Sequence, residues 1–120
     1  MWVACKIISN NFLLYNKFKE FINQTPFFVL EEESSDSEEN QIIFWDIDSI
    51  NIDTNHCKER INRGCLIIII SSLFSKDMIS NIFDHNHLTK IGILNKSVLY
   101  PQFVEELSRI IDEKNRVLNP

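Results

Sequence analysis

The sequence predicts an α/β fold: a doubly wound, five-stranded parallel sheet with helices on both faces. Three observations carry that expectation. Cys65-Leu66-Ile67-Ile68-Ile69-Ile70 is an unbroken apolar run with four β-branched residues, the pattern of a strand covered on both sides. Ile42-Ile43-Phe44-Trp45 is a second such run, cut off by Asp46-Ile47-Asp48. Around them, strand-like runs alternate with helical periodicity, which implies parallel strands joined by crossovers.

In chain order, Trp2, Val3, Ala4, Cys5, Ile7 and Ile8 form the first expected strand. Ser9-Asn10-Asn11 breaks it with turn and N-cap residues. Leu14, Phe18, Phe21 and Ile22 then recur at i, i+4, i+7 and i+8, one apolar helical face, with Tyr15, Lys17, Lys19 and Glu20 largely opposite. Pro26 disfavours helical geometry in the residue before it, so this helix ends near Gln24-Thr25. Phe27-Phe28-Val29-Leu30 is a short second strand. Residues 31–40 are acidic and serine-bearing and read as an exposed loop or a frayed short helix, so a helix between the second and third strands is short or missing.

Residues 49–63 are polar, with at most a short helix over 56–62. After the central strand, Ser75 can cap a helix in which Met78, Ile79, Ile82 and Phe83 form an inward stripe, ended by Asp84-His85-Asn86-His87. Residues 90–94 make the fifth strand. Pro101 suits a first helical position. Phe103, Leu107, Ile110, Ile111 and Val117 face inward along a last helix, and residues 116–120 read as a tail or linker.

Composition bounds the function. At 120 residues the chain suits one core and is too short for two, so residues 1–120 are read as a single domain. No apolar run approaches the roughly 18 residues of a membrane span, and the first residues lack a signal-peptide layout. The expected location is cytoplasmic. Three cysteines without CxxC spacing make no disulfide framework, and Cys5 and Cys65 read as core. Glu31, Glu32, Glu33, Asp36, Glu38 and Glu39 hold the acidity: removing these six from the net charge of −5 leaves +1. Neither part offers the basic stripe of a nucleic-acid binder. Gly64 and Gly92, the two glycines, are too few for a P-loop. His85 and His87 have no third metal ligand nearby in sequence, and His56-Cys57 has no partner at a spacing that suits thiol catalysis.

In an open parallel sheet, ligands and chemistry gather at the carboxyl ends of the strands. The residues expected there are Ser9-Asn10-Asn11, Asp46-Ile47-Asp48, Ser71-Ser72 and Asn95-Lys96. A carboxylate, hydroxyls and a lysine therefore converge on one edge.

These motifs resemble the receiver domain of two-component response regulators, a flavodoxin-like fold. Ile42-Ile43-Phe44-Trp45-Asp46-Ile47-Asp48 resembles the third strand of that family, whose terminal aspartate accepts a phosphoryl group. Ile67 to Ile70 with Ser71-Ser72 resembles the fourth strand and its hydroxyl. Gly92-Ile93-Leu94-Asn95-Lys96-Ser97 resembles the fifth-strand signature, and Tyr100-Pro101-Gln102-Phe103-Val104-Glu105-Glu106-Leu107 the start of the last helix. The resemblance implies Asp46 as phosphoacceptor, Ser71 as switch hydroxyl and Lys96 as the phosphate-pairing cation, with magnesium held by carboxylates.

The chain departs from the family where magnesium should bind. The acid pair after the first strand is replaced by Ser9-Asn10-Asn11; Asn10 and Asn11 are neutral. Asp46 and Asp48 are weak metal candidates, so magnesium is expected to bind poorly. Ile93 stands where a switching aromatic is common, and Ser97 where proline is typical. The leading expectation is an atypical receiver-like signalling domain, non-enzymatic, acting through protein–protein contact with weak or no phosphorylation. A sensor kinase or regulatory target is the implied partner. Homodimerisation through the last two helices and fifth strand is common in the family, and Leu99, Tyr100 and Val104 are candidates for that face or for the core. Two alternatives stand beside it: a magnesium-dependent phosphoacceptor in a phosphorelay, and a small enzyme using the Asp46–Lys96 edge on a metabolite.

Overall fold

The two apolar runs become the middle of the sheet. The computed structural model describes residues 2–31, 41–51, 53–73, 76–83 and 85–118. The elements follow as β1 (Val3–Ile8), α1 (Phe12–Gln24), β2 (Phe28–Leu30), β3 (Ile42–Asp46), α2 (Thr54–Asn62), β4 (Leu66–Ile70), α3 (Lys76–Ser80), α4 (His85–Leu88), β5 (Ile91–Leu94) and α5 (Tyr100–Leu118). All strands are parallel, in the order β2-β1-β3-β4-β5. This is the doubly wound, flavodoxin-like arrangement the sequence predicts.

Side chains alternate across a strand, so a strand between two helical layers must be apolar throughout. Ile42, Phe44, Leu66, Ile68 and Ile70 share one core with Leu14, Phe18 and Ile22 of α1 and Phe103, Leu107 and Ile110 of α5. Ile43, Trp45, Ile67 and Ile69 share the other with Cys57 and Ile61 of α2 and with Ile79 and Phe83. Every residue of β3 and β4 is buried.

Local chemistry sets the boundaries. Asn11 caps α1, its Oδ1 accepting from the N–H groups of Leu13 and Leu14 at 3.1 and 3.2 Å. Asp53 caps α2 through the His56 N–H at 3.0 Å. That helix ends in a Schellman turn: the Cys65 N–H reaches Arg60 O at 3.0 Å and the Gly64 N–H reaches Ile61 O at 2.9 Å. Gly64 adopts φ 95°, a conformation that favours glycine. At Gly92 the requirement is space instead, since a methyl there would run into Ile110 and Ile68 where α5 rests on β5.

Four expectations change. The second strand starts at Phe28, because Phe27 turns the chain with φ 69° and leaves its ring exposed, tilted against Trp2 at 6.4 Å. Between β4 and β5 there are two short helices instead of one. Ser80 Oγ turns back to Asp77 O at 2.7 Å, and Ile82 and Phe83 both donate to Ile79 O at 3.0 Å, closing a turn where a longer helix would continue. Met78 consequently faces outward at 45% exposure while Ile79 and Phe83 are buried. Tyr100 opens α5, placing Pro101 second, and residues 116–118 extend that helix instead of forming a tail. Arg116 and Leu118 are good helix formers, and no breaker precedes Pro120. The Ser75 cap, most of the acidic stretch and the possibility of a helix over 32–40 lie outside the described residues. Among the described residues, no helix is long and apolar enough to cross a membrane.

Candidate functional site

Parallel register brings the strand ends together: Asp46 lies beside Ile70, Ile70 beside Leu94, and Trp45 beside Ile8. The residues that follow these ends therefore meet on one edge. Asp46 is fully buried. Its Oδ2 accepts a 2.7 Å hydrogen bond from Ser9 Oγ. Among the described residues its Oδ1 has no well-formed hydrogen bond, and it faces the Lys96 ammonium at 3.4 Å. Burial of a carboxylate is costly without such compensation.

Lys96 is shared. Its Nζ lies 2.9 Å from Asp48 Oδ2, closer than to Asp46. Ser71 Oγ donates to Asp48 Oδ1 at 2.9 Å, and the Ser72 N–H points to Asp48 Oδ2 at 3.4 Å. The Leu73 N–H in turn donates to Ser71 Oγ at 3.0 Å. On the far side, the Asn10 N–H donates to Ser49 Oγ at 2.9 Å. From α1, Lys17 Nζ donates to the Lys96 carbonyl at 2.7 Å and so braces the loop that carries the site lysine. Four loops are thus tied across the carboxyl edge by one polar network.

The charges shift each other. Partial desolvation pushes the Asp48 carboxyl up, but the hydrogen bonds from Lys96, Ser71 and the Ser72 amide, with the Lys96 charge, outweigh it and hold it below the usual 3.8. The hydrogen bond to Asp48 raises Lys96 above 10.5, desolvation opposes this, and the charges of Asp46 and Asp48 add to the rise. Desolvation lowers Lys17.

The predicted residues Asp46, Ser71 and Lys96 are all brought to this edge. Asn10 and Asn11 bring no charged oxygen to this corner: Asn11 Oδ1 is committed to its cap, and Asn10 joins the network through its backbone N–H. Asp48 lies on the Lys96 side of Asp46, away from the corner where the acid pair would stand, and is engaged more tightly than the sequence suggested. Ser49 and Lys17 were missed as members of the network, and Ser9, though expected at this edge, was given no role on Asp46. Ser9 was placed here because it directly follows β1; the hydroxyl of Ser49 and the reach of Lys17 had no sequence signal.

The donor set does not suit magnesium. That ion prefers charged oxygens at near-octahedral geometry. Here one carboxylate is sealed against Ser9 and Lys96 and the other is held by Lys96, Ser71 and Ser72. Among the described residues, no three His, Cys, Asp or Glu side chains are grouped to hold a metal. The cysteines are buried and unbridged. Burial first, then the charge of Asp53, pushes the Cys57 thiol up to about 12, the wrong direction for a nucleophile. A cavity of about 310 Å³, lined by Asp77, Leu88, Ile93 and Arg109 among others, and one of about 510 Å³, bordered by Asn95, Gln102 and Glu106 among others, lie along β5; neither is lined by Asp46, Asp48 or Lys96.

No protein-family model matches the sequence, and no curated protein is significantly similar to it. Among solved structures, it is similar to the crystal structure of the response regulator ChrA of a heme-sensing two-component system, with TM-score 0.60 and 10% identity. That superposition covers 93% of this chain and 58% of ChrA, so the chain spans little more than half of that protein's length. At this identity the likeness is one of fold alone: a five-stranded parallel sheet in the order β2-β1-β3-β4-β5 with its flanking helices.

Proposed function

We propose that the chain is a receiver-like signal-transduction domain that works through protein–protein contact without phosphorylation of Asp46. One observation carries this reading: the acceptor carboxylate is sealed, with Ser9 on one oxygen and Lys96 facing the other. An incoming phosphoryl donor needs an exposed carboxylate oxygen and a cation to neutralise its charge. In this chain the cation is already shared by two carboxylates, and the corner where magnesium would sit is lined by neutral groups.

The test is exposure of the wild type and Asp46→Ala to acetyl phosphate with magnesium, followed by intact mass. The expected result is no adduct on either folded protein. A single phosphoryl adduct on wild type that is lost in Asp46→Ala would overturn the reading in favour of a phosphorelay acceptor.

The proposed output surface runs along β5 and α5. β5 is an edge strand, with Ile91 and Ile93 half-buried, and Leu99 is 65% exposed at the start of α5, while Tyr100 and Val104 pack against the core. A second copy of the chain is the occupant this reading expects. Sedimentation across a concentration series should show a monomer–dimer equilibrium that Ile93→Lys weakens; a monomer at every concentration would sink the dimer.

A further inference from the structure

Asp48, at most a weak metal candidate by the family resemblance, receives more donors than Asp46. Its two oxygens meet an ammonium, a hydroxyl and a backbone N–H from two other loops: Lys96 at 2.9 Å, Ser71 at 2.9 Å and Ser72 at 3.4 Å. These donors converge from the ends of β4 and β5 and owe nothing to the turn that carries Asp48. Beside them lies the buried Asp46 Oδ1, which has no well-formed hydrogen bond among the described residues and faces the same ammonium at 3.4 Å. Donors of this kind, fixed by rigid strand ends, make an oxyanion site.

We propose that Lys96, Ser71 and the Ser72 amide form a small oxyanion site, and that the chain fills it permanently with its own Asp48 carboxylate. The occupant is short, covalently attached and two residues beyond β3, so its effective concentration is high and its loss of freedom on binding is small. Filling the site orients Ser71 Oγ, which holds the Leu73 N–H and so fixes the path of the loop leaving β4. Leu73 stands 77% exposed on that loop. The loop is therefore set by a residue of the chain where a reversible ligand would otherwise set it. This consequence for signalling rests on the function proposed above; the occupancy itself rests only on the geometry.

Chemical rescue tests the site. The side chain of Asp48 is 21% exposed, and Asp48→Gly removes it while leaving the donors in place. The expected result is a lowered thermal midpoint and shifted Ser72 and Leu73 amide resonances. Formate should restore both in a saturable way that chloride at equal ionic strength does not reproduce. Formate should have no such effect on wild type, where the site is full, or on Asp48→Gly/Lys96→Met, where its cation is gone. Asp48→Asn, which keeps the shape and loses the charge, should shift the same amides. Rescue by chloride equal to rescue by formate would overturn the proposal, as would unchanged Ser72 and Leu73 amides in both Asp48 variants. Phosphorylation of wild type by acetyl phosphate would defeat the functional reading and leave formate rescue standing, so the two failures are distinguishable.

Discussion

Lys96→Met is expected to destabilise the fold by about 3 kcal/mol, the low end of what removing one partner from a buried ion pair costs. Asp46 is wholly buried and Lys96 is the cation that faces it, so the variant leaves a carboxylate in the interior with, among the described residues, Ser9 as its remaining side-chain partner. Asp48 loses its closest charge in the same step. The low end applies because the lysine side chain is 27% exposed and water screens part of the interaction. Urea unfolding measures the loss, and the pH dependence identifies its origin. Asp48 is depressed below 3.8 in the folded state, so its contribution is present above that value and fades as pH falls through the folded one. Lys96 is raised above 10.5, so its contribution is full below that value and fades as pH rises through the folded one. Wild-type stability should accordingly hold level in this respect between those limits, and the gap to Lys96→Met should close toward both. A gap that does not vary with pH would assign the loss to packing of the lysine stem.

Phe103→Ala should cost about 3–5 kcal/mol, the range for emptying a buried aromatic site. Phe103 is fully buried at the base of α5. Its ring lies 5.0 Å from Phe21, 5.6 Å from Phe44, 5.8 Å from Phe18 and 6.2 Å from Tyr100. It thus joins α1, β3 and α5, and α1 in turn holds the Lys96 loop through Lys17. A lowered denaturant midpoint with an unchanged slope is the expected observation. Phe103→Leu, which keeps more of the apolar volume, should lose less; equal losses would show that the ring contacts are not the source.

The fold was legible because its middle strands are apolar on both faces. Ile42 to Trp45 and Leu66 to Ile70 can be buried only between two layers, and the alternation around them leaves a parallel sheet as the arrangement to form. The placement of Asp46, Ser71 and Lys96 on one edge followed, since Asp46 closes β3, Ser71 directly succeeds β4 and Lys96 lies two residues past β5. What escaped was set by turns and by contacts distant in sequence. Nothing in Asp46-Ile47-Asp48 says that the second aspartate folds over to Lys96, 48 positions away. Ser9 reaches Asp46 across 37 positions. Met78, Ile79, Ile82 and Phe83 have helical spacing, but the bonds of Ile82 and Phe83 to Ile79 O close a turn that spacing alone does not reveal.

Lys96 is shared between Asp46 and Asp48, and its own titration reports how firmly they hold it. The chemical shift of Lys96 Cε, followed by NMR against pH, should have a midpoint above the 10.5 of a free lysine. In Asp48→Asn the midpoint should fall, because the largest cause of the rise is the hydrogen bond to Asp48. A wild-type midpoint at or below 10.5, unmoved by Asp48→Asn, would mean that the lysine is not engaged and that the site stands open to a phosphoryl donor.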